Sequence, residues 1–241
     1  RGASEGVDVY AYPHNETSTG VTSPVYRVEV PDALTLVDGT SIAGAAPVDL
    51  TQVDAYYFSL QKALGSDGGL WVAILSPAAV ERARRVEESA DGRWVPQFLS
   101  LSAAIDNSRK DQTLNTPALA TIIMAERQVR WLLERGGMDA VSDHCAQASS
   151  LIYDWAEANL AARPFVDNPT WRSPVTATIE IDEAASASEL AAHLRARGIV
   201  DIGAYRGVGA NQLRIGTWPS VEVDDVEALL ACIDYCLERV L

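Results

Sequence analysis

The chain has 241 residues, with 19 basic and 33 acidic side chains, and a formal net charge of −14 at pH 7. Its hydrophobic share of 48% and charged share of 22% are close to those of globular proteins, which excludes a disordered or collagen-like chain. A negative charge of this size argues against binding to nucleic acids or to anionic lipid surfaces, because both attract basic proteins.

Short apolar runs near the start of the chain predict β-strands, because Asp, Gly, Ser or Pro bounds each of them. The runs are Val7–Tyr12, Leu34–Val37, Ala55–Phe58 and Leu70–Leu75. Their apolar residues are continuous rather than alternating, which favours strands covered on both faces, as in an α/β sheet. Ser76 and Pro77 then predict the start of a helix that runs to about Glu88, with proline at its first position.

Two longer helices are predicted in the middle of the chain. Asn115-Thr116-Pro117 opens the first, because threonine is a good N-cap and proline suits the first helical position. Gly136-Gly137 end this helix, and the second covers about residues 138–160. Uncapped amides at the start of the first helix, beside Thr116, would suit an anion.

A proline-rich stretch, residues 163–174, predicts a domain boundary. Beyond it the pattern is that of an α+β domain. Strands are predicted at Val175–Ile181 and Leu213–Gly216. Between them a helix is capped by Ser186 and Glu189 and ends at Gly198, and a last helix begins at Asp224. The predicted organisation is therefore part of a large α/β domain over residues 1–135, a linking helix over 136–163, and a small C-terminal α+β domain over 164–241.

Three cysteines, Cys145, Cys232 and Cys236, cannot form a closed disulfide framework. Helical spacing places Cys145 and Cys236 on apolar stripes, which predicts buried thiols in a reducing cytoplasm. A metal pair of Cys232 and Cys236 would need two further ligands nearby, and the sequence offers none, so no metal site is predicted. No signal-peptide pattern and no membrane-length apolar run occur, and we expect a cytoplasmic protein.

Lysine is rare in this chain: the basic residues include only Lys62 and Lys110. Lys62 lies in an apolar loop between two predicted buried strands. Apolar surroundings disfavour the charged form of a lysine, and a neutral amine is the nucleophile that forms a Schiff base. Taken alone, this segment also fits a lysine whose charged end reaches out of the loop into water.

Asp38 ends a predicted buried strand, and a carboxylate there points towards the ligand crevice of an open α/β sheet. Enzymes that use pyridoxal phosphate need a lysine for a Schiff base and an acid that keeps the pyridine nitrogen protonated. Lys62 and Asp38 are candidates for these two groups. An aspartate that merely caps a strand end is the alternative.

Four segments, in this order, resemble the phosphoserine aminotransferase family, a class V branch of the fold-type-I pyridoxal phosphate enzymes. They are His14–Val21, Gln61-Lys62, Asp67–Trp71 and Asn115-Thr116-Pro117. The resemblance runs from about residue 7 to the C-terminus. It implies a fold-type-I aminotransferase with a partial large α/β domain, a mostly parallel sheet and a small α+β C-terminal domain.

The resemblance implies pyridoxal 5′-phosphate as the cofactor and assigns residues to it. Lys62 would form the Schiff base and then move a proton between the substrate and the cofactor. Asp38 would pair with the pyridinium nitrogen, Thr17 would hydrogen-bond the ring 3′-oxygen, and Gln61 would contact the phosphate.

The resemblance also implies a homodimer, in which Asn115 and Thr116 bind the cofactor phosphate of the neighbouring subunit. Arg214 would bind the substrate α-carboxylate, where a guanidinium fork is a natural partner, and Arg206 would hold the substrate phosphate. The sequence departs from the family at Ala63, where asparagine is frequent, and at Ser59-Leu60, where Ala-Pro is usual.

The implied reaction moves an amino group between 3-phosphoserine/3-phosphohydroxypyruvate and glutamate/2-oxoglutarate, in L-serine biosynthesis. One alternative is another class V aminotransferase, of the serine/alanine–glyoxylate type, which would not need a phosphate-binding arginine. The other is a truncated, non-catalytic fragment, because nothing in the chain matches the N-terminal third of the family.

Overall fold

The structure is a computed structural model that describes residues 6–89, 94–205 and 211–239. Within these ranges the strands are, in chain order, β1 (Val9–Pro13), β2 (Asn15–Glu16), β3 (Val21–Thr22), β4 (Leu34–Asp38), β5 (Ala55–Ser59), β6 (Trp71–Leu75), β7 (Ala162–Pro164), β8 (Thr176–Ile181) and β9 (Gln212–Gly216). The helices of the same ranges are α1 (Pro77–Glu88), α2 (Leu101–Ser108), α3 (Leu119–Glu134), α4 (Gly137–Ala158), α5 (Ala187–Arg195) and α6 (Val223–Arg239).

The largest sheet consists of the predicted early strands, in the order β1-β4-β5-β6. β1, β4 and β5 run parallel, and β6 pairs with β5 in the antiparallel direction. Asp38 at the end of β4 lies opposite Pro13 of β1 and Tyr57 of β5. The predicted α/β class with a mostly parallel sheet is confirmed, and the parallel strands all end at one edge of the sheet.

The prediction that these strands are covered on both faces is right for β4 and wrong for the outer strands. Val37 of β4 is fully buried, whereas Trp71 and Ile74 of β6 are 55% and 43% exposed. Val9 of β1 is exposed as well. β1 and β6 form the two edges of the sheet, where each has one neighbouring strand, and apolar composition alone does not reveal that position.

The predicted start of α1 is confirmed. Proline occupies its first position, and the Ser76 side chain, which precedes it, accepts a hydrogen bond from the Ala79 amide. This bond satisfies one of the free amides at the helix start, and it ties the end of β6 directly to the helix.

The predicted start of α3 is wrong by two residues. The helix begins at Leu119, and its N-cap is Ala118, which makes no side-chain capping bond. Pro117 therefore precedes the helix rather than occupying its first position, and Thr116 lies two residues before the N-cap. The first turn also makes a tertiary contact, in which the Ser66 hydroxyl donates to the Thr121 carbonyl at 2.7 Å.

The C-terminal part contains an antiparallel sheet in the order β7-β8-β9, packed against α4, α5 and α6. Its core is apolar and closed to solvent, with Ile152, Ile179, Leu190, Leu213 and Ile233 all below 2% exposure. Ser186 caps α5 as predicted, and α6 begins at Val223, one residue before the predicted Asp224. β7 was not predicted because it contains Pro164, which a sheet tolerates at an edge strand.

Cys145 and Cys236 are buried as predicted, and burial raises the pKa of the Cys145 thiol to about 12. Cys232, which lies on neither apolar stripe, is exposed on the outer face of α6, next to the buried Ile233. Among the described residues, no helix combines the length and the apolar character that crossing a bilayer requires.

Candidate active site

Three parallel strands deliver polar residues to one edge of the large sheet. His14 to Thr17 follow β1, Asp38 ends β4, and Gln61 and Lys62 follow β5. Because β4 lies between β1 and β5, Asp38 is at the centre of this edge. Open α/β folds bind ligands at the carboxyl ends of their parallel strands, and we call this side of the large sheet the carboxyl edge.

Asp38 is held by bonds to its backbone and to its side chain. One carboxylate oxygen, Oδ1, accepts from the Thr40 amide at 2.8 Å, and the Asp38 carbonyl accepts from the His14 amide at 2.8 Å. The next residue, Gly39, has room for no side chain, because a Cβ there would lie 2.2 Å from the Tyr56 ring. The carboxylate is therefore fixed at the end of β4 by its close neighbours.

A buried pair, His14 and Tyr56, lies beside Asp38. The His14 Nδ1 atom and the Tyr56 hydroxyl are 3.0 Å apart, and the residues are 7% and 2% exposed. Burial lowers the pKa of His14 from 6.5 to about 4. Burial, with a smaller contribution from the Asp38 charge, raises the pKa of Tyr56 far above its ordinary range. Both side chains are therefore neutral at pH 7.

The pKa of His14 predicts a pH dependence of stability. Between about pH 6.5 and 4 the unfolded chain binds a proton that the folded chain does not bind, so the free energy of unfolding falls as the pH falls. The full loss would be about 3 kcal/mol. Urea titrations across this range should show a smaller pH-dependent loss in His14→Gln than in the wild type. Equal losses in the two proteins would show that His14 is not a buried neutral residue.

Hydrogen bonds also join the β1 and β4 ends of the carboxyl edge. The Asn15 side-chain amide donates to the Ser41 hydroxyl at 2.9 Å, and this hydroxyl donates to the Asn15 carbonyl at 3.1 Å. The Trp218 indole N–H, from beyond β9, donates to the Ser41 carbonyl at 2.9 Å. The C-terminal part of the chain thus contacts the carboxyl edge directly.

Lys62 lies in a short closed loop after β5. The Gly65 amide donates to the Lys62 carbonyl at 2.8 Å, and the Ser66 amide donates to the Leu60 carbonyl at 2.9 Å. Lys62 itself is half-buried, and its Nζ atom lies 5.9 Å from the centre of the Trp218 ring. Lys110, in contrast, is exposed.

Arg214 reaches the carboxyl edge from β9. Its Nη1 atom donates to the Thr17 carbonyl at 3.4 Å, which joins two of the predicted site residues. Its guanidinium carbon lies 4.9 Å from the centre of the Tyr205 ring, within the range of a cation–π contact. Arg206, the other predicted arginine, lies outside the described residues.

The remaining predicted residues do not join this cluster. Gln61 is exposed and lies beside Gly68, 4.0 Å from the position that a Cβ there would take. Asn115 and Thr116 are exposed ahead of α3, where the Thr113 hydroxyl donates to the Asn115 carbonyl. The structure therefore joins Arg214 to Thr17 and places Asp38 and Lys62 at the ends of neighbouring strands on the same edge, whereas Gln61, Asn115 and Thr116 lie at the surface.

Three residues at the site were missed by the sequence predictions: Tyr56, Tyr205 and Trp218. Trp218 is separated from Lys62 by 156 positions, and its proline neighbour suggests only a turn. Gly39 and Gly216 make room for the rings of Tyr56 and Trp218, but only the structure shows that a Cβ would clash there.

Comparisons with known proteins show the family to which the chain belongs. The family described as "Aminotransferase class-V" matches residues 2–204. A putative phosphoserine aminotransferase of Mycolicibacterium vanbaalenii is 53% identical over 234 residues, which cover 97% of this chain and 62% of the relative. The chain thus spans less than two thirds of the length of this curated relative.

Solved structures show the same fold. A phosphoserine aminotransferase from Cytophaga hutchinsonii superimposes with a TM-score of 0.88 at 23% identity, over 100% of this chain and 66% of that one. A phosphoserine aminotransferase from Trichomonas vaginalis, described as pyridoxal phosphate-bound, has a TM-score of 0.78 at 20% identity, over 96% and 61%. The shared fold is that of the fold-type-I aminotransferases.

Proposed function

Since this chain belongs to the class V aminotransferase family, we propose that it provides the catalytic lysine of a phosphoserine aminotransferase. The proposed reaction exchanges an amino group between 3-phosphoserine/3-phosphohydroxypyruvate and glutamate/2-oxoglutarate, in the cytoplasm, as a step of L-serine biosynthesis. The name of a relative that is 53% identical supports this substrate pair.

One observation carries the proposal: a lysine, an aspartate and a threonine follow three adjacent parallel strands, and an arginine from another sheet reaches the same edge. The residues are Lys62, Asp38, Thr17 and Arg214. An amine nucleophile, a fixed carboxylate and a carboxylate-binding guanidinium are the groups that amino transfer on an amino acid requires.

The chemistry of these groups fits pyridoxal phosphate. Lys62 offers an amine for covalent attachment, and Asp38 offers a carboxylate whose Oδ1 is already bonded to a backbone amide. The side-chain oxygen of Asn15, next to the edge, is buried and has no hydrogen-bond partner among the described residues. A polar group that remains unpaired in a buried position is suited to a ligand.

We assign the cofactor contacts as the family resemblance implies. Lys62 would hold the cofactor through its amine, Asp38 would pair with the ring nitrogen, and Thr17 would bond the ring oxygen. Gln61 would contact the phosphate. Pyridoxal phosphate, when bound, supplies the electron sink that makes the substrate Cα–H acidic. The Lys62 amine, freed from the cofactor, would then take and return that proton.

Two arginines would select the substrate. The Arg214 fork would hold the α-carboxylate, and Tyr205 restricts the fork by stacking against it. Arg206 would hold the substrate phosphate. Asn115 and Thr116, exposed ahead of α3, would reach the cofactor phosphate of a second subunit in a homodimer.

The substrate can be tested with Arg206→Ala. Glutamate formation from phosphoserine and 2-oxoglutarate should show a KM for phosphoserine about 10- to 100-fold higher than in the wild type, because a charge-assisted bond is lost. The KM for 2-oxoglutarate should change little. Arg197→Ala is the control, since Arg197 is exposed and, in the described chain, its side chain bonds only the nearby His193 carbonyl.

Two outcomes would contradict the proposal. Unchanged phosphoserine kinetics in Arg206→Ala, with turnover of alanine and glyoxylate by the wild type, would identify another class V aminotransferase. No turnover of any amino donor by the wild type, with cofactor present, would identify a non-catalytic fragment.

A further inference from the structure

Trp218 is the residue through which the C-terminal sheet approaches Lys62. It follows β9 by two residues, and the residue between them anchors the segment: the Thr217 amide donates to the Val175 carbonyl and its hydroxyl to the Pro174 carbonyl, both at 2.9 Å. Gly216 leaves space for the indole, because a Cβ there would lie 2.4 Å from the ring. The backbone thus fixes where the indole lies.

The ring is also fixed from the opposite side. Its N–H donates to the Ser41 carbonyl at 2.9 Å, which leaves the indole little freedom to rotate. The apolar core that contains Ile42, Leu64 and Val141 packs against the ring. Such packing makes Trp218 a rigid surface at the carboxyl edge.

This surface faces the Lys62 amine. The Nζ atom lies 5.9 Å from the ring centre, at the outer limit of a cation–π contact. In the described part of the chain, no carboxylate forms an ion pair with Lys62, and no hydrogen bond to its amine is found. The indole ring is therefore a group that can stabilise the charge of the Lys62 amine.

We infer that Trp218 is a positioning residue for Lys62. Its ring contacts and holds the lysine ammonium whenever the amine is not attached to the cofactor. The inference rests on the proposed function, which makes Lys62 the attachment point. It adds a role for the C-terminal sheet: β9 carries the substrate-binding Arg214, and the segment that follows β9 carries, four residues after Arg214, the ring that holds the released lysine.

The chain is suited to a direct test, because Lys110 is exposed and is the one other lysine. A trace amount of an amine-specific acylating reagent is added to the full chain without cofactor, at a fixed, mildly alkaline pH. Peptide mass spectrometry then gives the ratio of the Lys62 and Lys110 labelling rates. Only neutral amines react, so a ring that holds the ammonium lowers this ratio.

We expect Trp218→Leu to raise the ratio about threefold, since exposed cation–π contacts have energies of this size. Gly216→Ala should raise it as well, because the added Cβ displaces the ring and leaves the indole in the chain. Trp218→Phe should have a labelling ratio close to that of the wild type, because phenylalanine retains an aromatic ring although it loses the hydrogen bond to Ser41. Trp94→Leu, at a tryptophan that is 84% exposed, is the control and should change nothing.

Two results would overturn the inference. One is an unchanged ratio in Trp218→Leu, or in Gly216→Ala should the leucine variant fail to fold by circular dichroism. The other is a Trp218→Phe protein that behaves like Trp218→Leu, since the bond to Ser41 rather than the ring would then be responsible. The proposed function is tested separately, because the labelling needs neither cofactor nor substrate.

Discussion

Replacing Lys62 with alanine is expected to abolish cofactor attachment and to reduce transamination by at least about 10²- to 10⁴-fold, the range that a positioned acid–base group contributes. The reason is that one amine would serve both to attach the cofactor and to move the substrate proton. Addition of pyridoxal phosphate to the wild type should produce an absorbance band at about 410 nm, and the variant should lack it.

Lys110→Ala is the matched control for this experiment. Lys110 is exposed and lies in the turn after α2, so its loss should leave both the band and the turnover unchanged. If Lys62→Ala retained the band and Lys110→Ala lost it, the carboxyl edge would not be the cofactor site.

Asp38→Asn is expected to reduce kcat by about 10²- to 10³-fold, which is the usual effect of removing one preorganised electrostatic partner. Asparagine has nearly the same shape and can still accept the Thr40 amide, so the fold should remain and only the charge is lost. Asp67→Asn is the control, because Asp67 is exposed and bonds the next backbone amide in a nearby loop. Equal kcat values in wild type and Asp38→Asn would exclude Asp38 as the partner of the ring nitrogen.

The same variant has a readout that needs no cofactor. Burial first, and the Asp38 charge second, raise the pKa of Tyr57, which lies opposite Asp38 in the sheet. Removal of that charge should move the Tyr57 ionisation to lower pH, while the effect of burial remains. A spectrophotometric tyrosine titration that is identical in the two proteins would show that Asp38 does not carry its charge beside Tyr57.

Local signals in the sequence predicted much of the fold. Pro77 after a serine cap defines α1 because both residues act within one helical turn. Strands β4 and β5 were found because their apolar residues are contiguous. The hairpin of β2 and β3 was missed, because two residues per strand, mostly polar, carry no periodic signal.

Candidate site residues could be predicted where they directly follow or end a strand, as with Asp38 and Lys62. The contacts between them could not be predicted, because they depend on the packing of distant segments. Trp218 reaches Lys62, and Arg214 reaches Thr17, only because the C-terminal sheet lies against the carboxyl edge. Thr116 shows the converse: its capping motif was plausible locally, but α3 begins at Leu119, with Ala118 as its N-cap.

Lys62, at the carboxyl edge, is the residue that we propose attaches the cofactor. The most direct measurement is to incubate the chain with pyridoxal phosphate, reduce it with borohydride and locate the added mass by peptide mass spectrometry. We predict modification of the peptide that contains Lys62 and an unmodified Lys110 peptide. Modification confined to Lys110, or no modification of either lysine at saturating cofactor, would contradict the claim.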